Sequence, residues 1–380
     1  MVPTLADVIA ALDRWYPPHS AESWDAVGLT CGEPTRQIRR IVLAVDCVPE
    51  TVAETISAEA QLLVTHHPLL LSGVHSVAAD LPKGAMVHRL ISAGVAHFVA
   101  HTNADVAADG VSEALARLLG LVDVQPLVAD SATALDHLAV FVPPDFVQPV
   151  IAAMTEAGGG AIGDYDQCTF SVEGLGTYRP MAGAKPFDGE VGVLSRKAET
   201  RVSVVLPRSR RPAILAAMQN AHPYEQVAFE LTEQPGLPSS TGTGRIGSLE
   251  AEISLDDLVR FAASVLPKTV WGVRAAGDPS QRISRVAVCG GSGGSYADAA
   301  REAGADAYLT ADLKHHSTVE AVSERAQAAA APPMALVDAA HWATEWPWLP
   351  IVADMLAAEF EDLDVLVSEV VTDPWTLHEH

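Results

Sequence analysis

The sequence predicts an α/β chain: a layered α/β domain with a mainly parallel sheet, interrupted by an inserted ferredoxin-like α+β domain. Three observations predict it. Apolar runs of strand length alternate with segments of helical periodicity up to about Pro126, and again from about Gly244 onward. The stretch between them breaks that rhythm and contains an internal echo. At 380 residues the chain is also too long for one ordinary core. The expected divisions are 1–130 and 237–380 for the two halves of the α/β domain and 131–236 for the insert.

In the first part, "IRRIVLAVD" reads as a buried strand and "PETVAETISAEA" as a helix with its apolar residues at helical spacing. "AQLLVTHHP" and "GAMVHRLISAGV" repeat the pair. The strand "AHFVAHTNAD" and the helix "VSEALARLLG", which stops at Gly120, complete the series. In the last part, "RISRVAVCGGSGGSYADAAREAGADAYLTADLKHH" reads as strand, glycine-rich turn, helix and strand. "MALVDAAHWATEWPWLPIVADMLAAEF" is a strand then a helix, and "DLDVLVSEV" a final strand. In the middle, "LAVFVPPDFVQPVIAAMTEAG" aligns without a gap on "VSVVLPRSRRPAILAAMQNAH". Val142-Pro143 falls on Leu206-Pro207, and Ala153-Met154 on Ala217-Met218. Each half is a strand, a proline-marked helix start and a helix. Two such halves with extra strands make a β-α-β-β-α-β module. "TEQPGLPSSTGTGRIG" is turn-rich and reads as the return linker.

With 49% apolar residues a packed globular protein is expected. The 24 basic residues face 48 acidic ones, a net charge of −24. That excludes a nucleic-acid backbone as the main partner and disfavours an anionic membrane surface. A small anionic ligand stays open, because a bound metal reverses the field inside a pocket. There is no apolar run of membrane-spanning length, and "MVPTLADVIAALDRWYPP" carries Asp7 and Asp13 rather than a basic leader. Cys31, Cys47, Cys168 and Cys289 are scattered, which fits a reducing compartment. A soluble cytoplasmic protein is expected.

Candidate metal donors come in three groups: His66 and His67; His101 and Asp105 in "AHTNAD"; and Asp338, His341 and Glu345 in "DAAHWATE". Imidazole with carboxylate suits zinc, iron or manganese better than calcium or magnesium. His341 and Glu345 are four apart, so on a helix both reach the same point; an exposed helical His–Glu pair has the same spacing. His66, His67 and Asp105 end predicted strands, where ligands collect in open α/β sheets. Extended backbone sends neighbouring side chains to opposite faces. Either the chain turns at His66–Pro68, or metals lie on both sides of the pair.

The loop Cys289–Ser295 joins a strand to a helix. It is a tight turn, or its amides at Gly290, Gly291, Ser292 and Gly293 cradle a phosphate of the substrate. It lacks the P-loop lysine. Asp25 in "WDAVGL" reads as a turn cap rather than a substrate contact. His222 and Glu225 in "AHPYE" offer a second metal site or, by preference, a loop-closing motif.

Taken together, "ESWDAVGLTCG", "VTHHPLLLSG", "AHTNAD", "CGGSGGSYADAAREAGADAYLTADLKHH" and "DAAHWATE" resemble, in order, the signature blocks of the Nif-three-like family of dinuclear-metal hexameric proteins. Many members carry the name GTP cyclohydrolase type 2 homologue. "FSVEGLGTYRPMAGAKPF", "GEVG" and "AHPYE" resemble the insert of its longer bacterial members, which is similar to the PII and CutA folds. The resemblance implies His66, His67, Asp105, His341 and Glu345 as ligands of two divalent ions per chain, and a homohexamer. It also sets "DLKHH" near the site, so His101, His315 and His316 become candidate proton shuttles or residues bordering the ligands. Ala340 replaces a frequent glycine and Ala104 a larger apolar residue; no ligand is lost.

Water between two cations ionises near neutral pH and becomes a nucleophile. The expectation is therefore a metal-dependent hydrolase acting through a metal-bound hydroxide on a small nucleotide-like or phosphoester molecule. The GTP cyclohydrolase label is a name only, since nothing in the sequence specifies GTP. The alternative is a non-enzymatic metal- or metabolite-sensing hexamer.

Overall fold

The computed structural model describes residues 2–130, 134–163, 165–234, 240–323 and 333–379. It divides the chain into two compact units: Met1–Ala129 with Ser240–His380, and Asp130–Ser239. The expected division points at 131 and 236–237, the middle of the return linker and the final histidine lie outside the described residues.

The first part of the discontinuous unit runs α1 (Leu5–Trp15), β1 (Gly28–Cys31), β2 (Arg40–Ala44), α2 (Pro49–Ser57), β3 (Leu62–Thr65), α3 (Pro82–Ala93), β4 (Ala96–Val99), α4 (Thr102–Val106), α5 (Val111–Leu118) and β5 (Val122–Ala129). Local chemistry sets several limits. Thr4 and Asp7 form a reciprocal capping box at the start of α1. Proline opens α2 and α3, where its missing N–H has no partner to lose.

The continuous unit follows, with β6 (Leu135–Val142), α6 (Val147–Glu156), β7 (Thr169–Tyr178), β8 (Ser195–Pro207), α7 (Arg211–Ala221) and β9 (Phe229–Glu233). Its sheet order is β7-β8-β6-β9, antiparallel throughout, which is the ferredoxin-like arrangement. The internal echo becomes its core. Leu138, Val140, Val142, Val150 and Met154 are buried together with their gapless counterparts Val202, Val204, Leu206, Ile214 and Met218.

The second part of the discontinuous unit runs β10 (Gly242–Ser254), α8 (Leu255–Val265), β11 (Val273–Ala276), β12 (Arg282–Val288), α9 (Ala297–Glu302), β13 (Ala307–Ala311), α10 (His315–Ser323), β14 (Ala335–Ala339), α11 (His341–Glu345), α12 (Trp348–Glu359) and β15 (Asp364–Val367).

This unit does not form one split sheet. One sheet has the order β1-β4-β3-β2-β15, parallel except for β1. The other has the order β11-β14-β13-β12-β10-β5, with only β12, β13 and β14 parallel. Each half therefore lends one strand to the sheet of the other: β5 to the second sheet, β15 to the first. In β2 the side chains alternate between two cores, Ile41 and Leu43 on one face and Val42 and Ala44 on the other. Helix α5 is shared in the same way. Val111 and Ala114 pack into the first sheet's core, and Leu115 and Ala116 into the second's. No described helix is long and apolar enough to cross a membrane.

Candidate metal centre

The site residues sit at the carboxyl ends of the parallel strands of both sheets. His66 and His67 follow β3, Asp46 follows β2, and His101 follows β4. From the other sheet, Gly291 follows β12, Asp312 follows β13, and His341 begins α11 just after β14. Asp105 is not at a strand end as the sequence suggested. The chain turns at His101, where Asn103 Oδ1 accepts from the His101 N–H, and the Asp105 amide bonds back to the His101 carbonyl. The resulting short helix, α4, carries Asp105.

The adjacent histidines do face one place. Strand pairing ends as the amides of His66 and His67 bond to the carbonyls of Ala44 and Val45, and Thr65 Oγ1 donates to the His67 carbonyl. The two rings then stand 5.0 Å apart.

Each imidazole is held through Nδ1. The acceptors are the Ala100 carbonyl for His66 (3.0 Å), Asp46 for His67 (2.8 Å), Asp25 for His101 (2.8 Å) and Asp312 for His341 (2.7 Å). An acceptor on Nδ1 leaves Nε2 as the atom offered to a cation, and it fixes the ring plane. Glu345 receives these atoms. Its Oε1 lies 2.9 Å from His341 Nε2 and 3.5 Å from His66 Nε2, and its Oε2 lies 3.2 Å from His67 Nε2. Asp105 Oδ1 is 3.7 Å from His66 Nε2.

Two donor groups able to hold a metal result: His66, His67 and His101, and His67, His341 and Glu345, each with donor atoms within 4.8 Å of one another. His67 belongs to both, and Asp105, expected as a ligand, belongs to neither but borders the first through His66. His66 Nε2 and Glu345 Oε2 are buried without an aligned hydrogen-bond partner. Such atoms cost roughly 1–3 kcal/mol each unless something satisfies them, and a cation would satisfy both. The donor chemistry fits a divalent metal.

Burial works against ionisation of His67 and His341, but the Glu345 carboxylate outweighs it, helped by Asp46 and Asp312 respectively. His67 is raised well above the usual imidazole range and His341 to about 10. Burial likewise opposes the Glu345 charge, yet His67, His341 and His66 hold its carboxyl well below the ordinary range. At Asp105 burial, joined by the Glu345 charge, outweighs the pull of His66, His67 and His341 and pushes the carboxyl up to about 6. His101 is lowered by burial and by His66.

In the metal-free chain, protons on His67 and His341 thus stand in for a cation. A histidine raised from 6.5 to about 10 contributes stability that is complete below pH 6.5 and lost as pH rises through 10. Metal-free protein is therefore expected to melt at least about 5 °C lower at pH 9.5 than at pH 6.5, read by calorimetry in chelator. Metal-loaded protein should show no such fall, because binding needs the deprotonated rings.

Other candidates find ordinary roles. Asp25 accepts from His101, from the Thr102 amide and hydroxyl, and from the Ala26 amide, so it caps the turn and braces a ring. Asp338 is held by Arg274 and by the Leu313 amide, outside both donor groups. His315 and His316 are exposed at the start of α10 and belong to neither group. His101, a candidate donor by its sequence group and a shuttle or bordering residue by the resemblance, stands within the first donor group.

Three of the four amides of the expected phosphate cradle, all but that of Ser292, are already taken. The amides of Gly290, Gly291 and Gly293 bond to Ser112, Thr344 and Thr310 hydroxyls. Gly291 instead gives Glu345 room. With φ at +63°, a Cβ there would come within 2.4 Å of Glu345 Oε1. In the continuous unit, His222 is used up at both nitrogens, by the Phe141 carbonyl and the Tyr224 amide, so it closes a loop and ligates nothing. His97, at 0% exposure, bonds Thr65, and burial pushes it down to about 4; it is a core residue.

Sequence reasoning missed Asp46 and Asp312. Each directly ends an apolar strand run, "IVLAVD" and "AYLTAD", and each braces the imidazole that ends the neighbouring strand.

A sequence profile of the Duf34/NIF3 family (NGG1p interacting factor 3) matches residues 3–374. The chain belongs to this family. A relative from Mycobacterium leprae, named GTP cyclohydrolase 1 type 2 homolog, is 48% identical over 98% of this chain and 95% of its own. Among solved structures, a Bacillus cereus protein related to NIF3 aligns with a TM-score of 0.67 at 30% identity, covering 100% of both chains. A Staphylococcus aureus protein aligns with a TM-score of 0.75 at 26% identity, covering 99% of both. For this NIF3 chain the braces are testable. Asp312→Asn should weaken metal binding by roughly 10–100-fold, measured by competition with a chromophoric chelator. An unchanged affinity would remove Asp312 from the centre.

Proposed function

We propose that this NIF3-family protein is a metal-dependent hydrolase of a small nucleotide-like or phosphoester molecule. The observation that carries the reading is the convergence on Glu345 of imidazoles whose rings are already fixed through Nδ1. His66, His67, His101, Asp105, His341 and Glu345 would hold two ions of zinc, iron or manganese. When bound, such ions supply Lewis acidity and lower the pKa of water beside them.

The chain's own residues set the rest. His66 and Glu345 have side chains 1% and 3% exposed and form the sealed floor. His67, Asp105 and His341, at 25%, 28% and 33%, form the side that solvent and substrate reach. Asp46, Asp25 and Asp312 keep three of the rings from rotating. His101, lowered by burial and His66, stays neutral near pH 7 and offers a lone pair.

The reading extends, on the motif resemblance, to a cytoplasmic homohexamer whose ferredoxin-like unit is a PII/CutA-like module. It takes a small molecule as its partner rather than nucleic acid or a membrane. Reconstituted protein should hydrolyse at least one member of a nucleotide and phosphoester panel, and chelation should abolish that turnover. Turnover that survives chelation, or none across the panel with full metal, would sink it. A regulatory reading has one observation in its favour: the continuous unit contains a lined cavity of its own.

A further inference from the structure

Two sequence motifs that the metal centre does not use, "EGLGTYRPMAGAKPFD" and "AHPYE", meet in the continuous unit around a cavity of about 300 Å³. Tyr178, Phe187, Tyr224, Glu199 and Glu225 line it. The lining is built rather than incidental. The Tyr224 hydroxyl donates to Glu199 Oε1 at 3.0 Å. Gly176 faces the other oxygen: a Cβ there would lie 1.9 Å from Glu199 Oε2, so glycine leaves room for the carboxylate in this orientation. The Lys185 amide donates to Glu225 Oε2 at 2.9 Å and ties the two motifs together. His222 accepts from the Tyr224 amide and stands edge-on to its ring at 4.9 Å, which fixes the aromatic wall.

The chemistry selects the ligand. Asp188 is already paired with Lys197. Among the described residues, Glu199 and Glu225 form no ion pair. Arg179 also lines the cavity, and carboxylates remain in excess. Anions are therefore disfavoured. The ring of Tyr224 lies 6.2 Å from those of both Tyr178 and Phe187, tilted by 56° and 47°. A flat base between two ring faces needs near-parallel rings about 7 Å apart, twice the usual contact distance. Tilted faces beside a carboxylate instead suit a compact cation, whose charge the ring quadrupoles attract. We propose that this cavity binds a small organic ammonium ion. The proposal holds whether or not the metal centre hydrolyses anything.

Choline is the probe, with its uncharged isostere 3,3-dimethyl-1-butanol as comparator, titrated calorimetrically into the full chain. Choline is expected to bind at least tenfold more tightly than the isostere. Glu199→Gln and Tyr224→Leu should each weaken choline at least tenfold, with circular dichroism unchanged and metal content equal to that of the parent protein. Three results overturn the proposal: equal affinity for the isostere, no saturation by 100 mM choline, or full choline affinity in Glu199→Gln. Glu199-dependent binding of guanosine in preference to choline overturns it too, in favour of base recognition. Loss of hydrolysis with choline binding intact would bear on the metal centre alone.

Discussion

Glu345→Ala protein is expected to purify with less than about a tenth of the metal of the parent, which should carry about two ions per chain. The carboxylate sits within 2.9–3.5 Å of three imidazoles and contributes an oxygen to each side of the cluster. Its removal takes away the charge that makes the pocket attractive to cations. It also leaves His67 and His341 without the anion that raises them. The buried side chain would leave a cavity as well, so the isosteric Glu345→Gln is the decisive companion. It keeps the volume and loses only the charge and one donor oxygen. Elemental analysis of both reads the result directly. Parent-like metal content in Glu345→Gln would show that the carboxylate is not a ligand.

Gly291→Val should be nearly as damaging although Gly291 itself supplies no donor atom. Its φ of +63° is a conformation that β-branched residues adopt only under strain. Its Cβ would meet Glu345 Oε1 at 2.4 Å and His341 Nε2 at 3.2 Å. We expect a loss of about 1–3 kcal/mol in stability and loss of most bound metal, read by thermal melting and elemental analysis. Gly294→Ala is the control in the same loop. There the nearest contact of the added Cβ is Leu313 at 3.8 Å, an ordinary separation. If Gly291→Val kept its metal, the close approach would be without consequence for the site.

Much of this centre was legible in the sequence, and the reasons divide by range. The spacing of His341 and Glu345 is local, so helical geometry alone set both on one face, and α11 realises it. The pairing of His66 and His67 was an anomaly at the end of an apolar run, and the turn after Thr65 resolves it. The duplicated half of the insert was visible because its prolines and core residues recur together.

The sheet partners were not legible. Nothing near Asp364–Val367 says that it pairs with Arg40–Ala44 rather than with a strand of its own half. The braces escaped for another reason. An aspartate after a strand is an ordinary turn signal, and Asp46 and Asp312 differ from any other only in what lies across from them. The glycine loop misled in the opposite sense. Its composition suggested an anion cradle, while the amides of Gly290, Gly291 and Gly293 are engaged within the chain.

The exchange of edge strands has a consequence for biosynthesis. β2 is flanked by β3 on one side and by β15 on the other, so the first sheet lacks an edge until residue 367 has left the ribosome. His341 and Glu345 emerge only shortly before it. A nascent chain holding His66, His67, His101 and Asp105 therefore displays only part of the donor set, without the Glu345 carboxylate on which the imidazoles converge. A metal would therefore meet the complete donor set only in the finished fold, after the chain has left the ribosome.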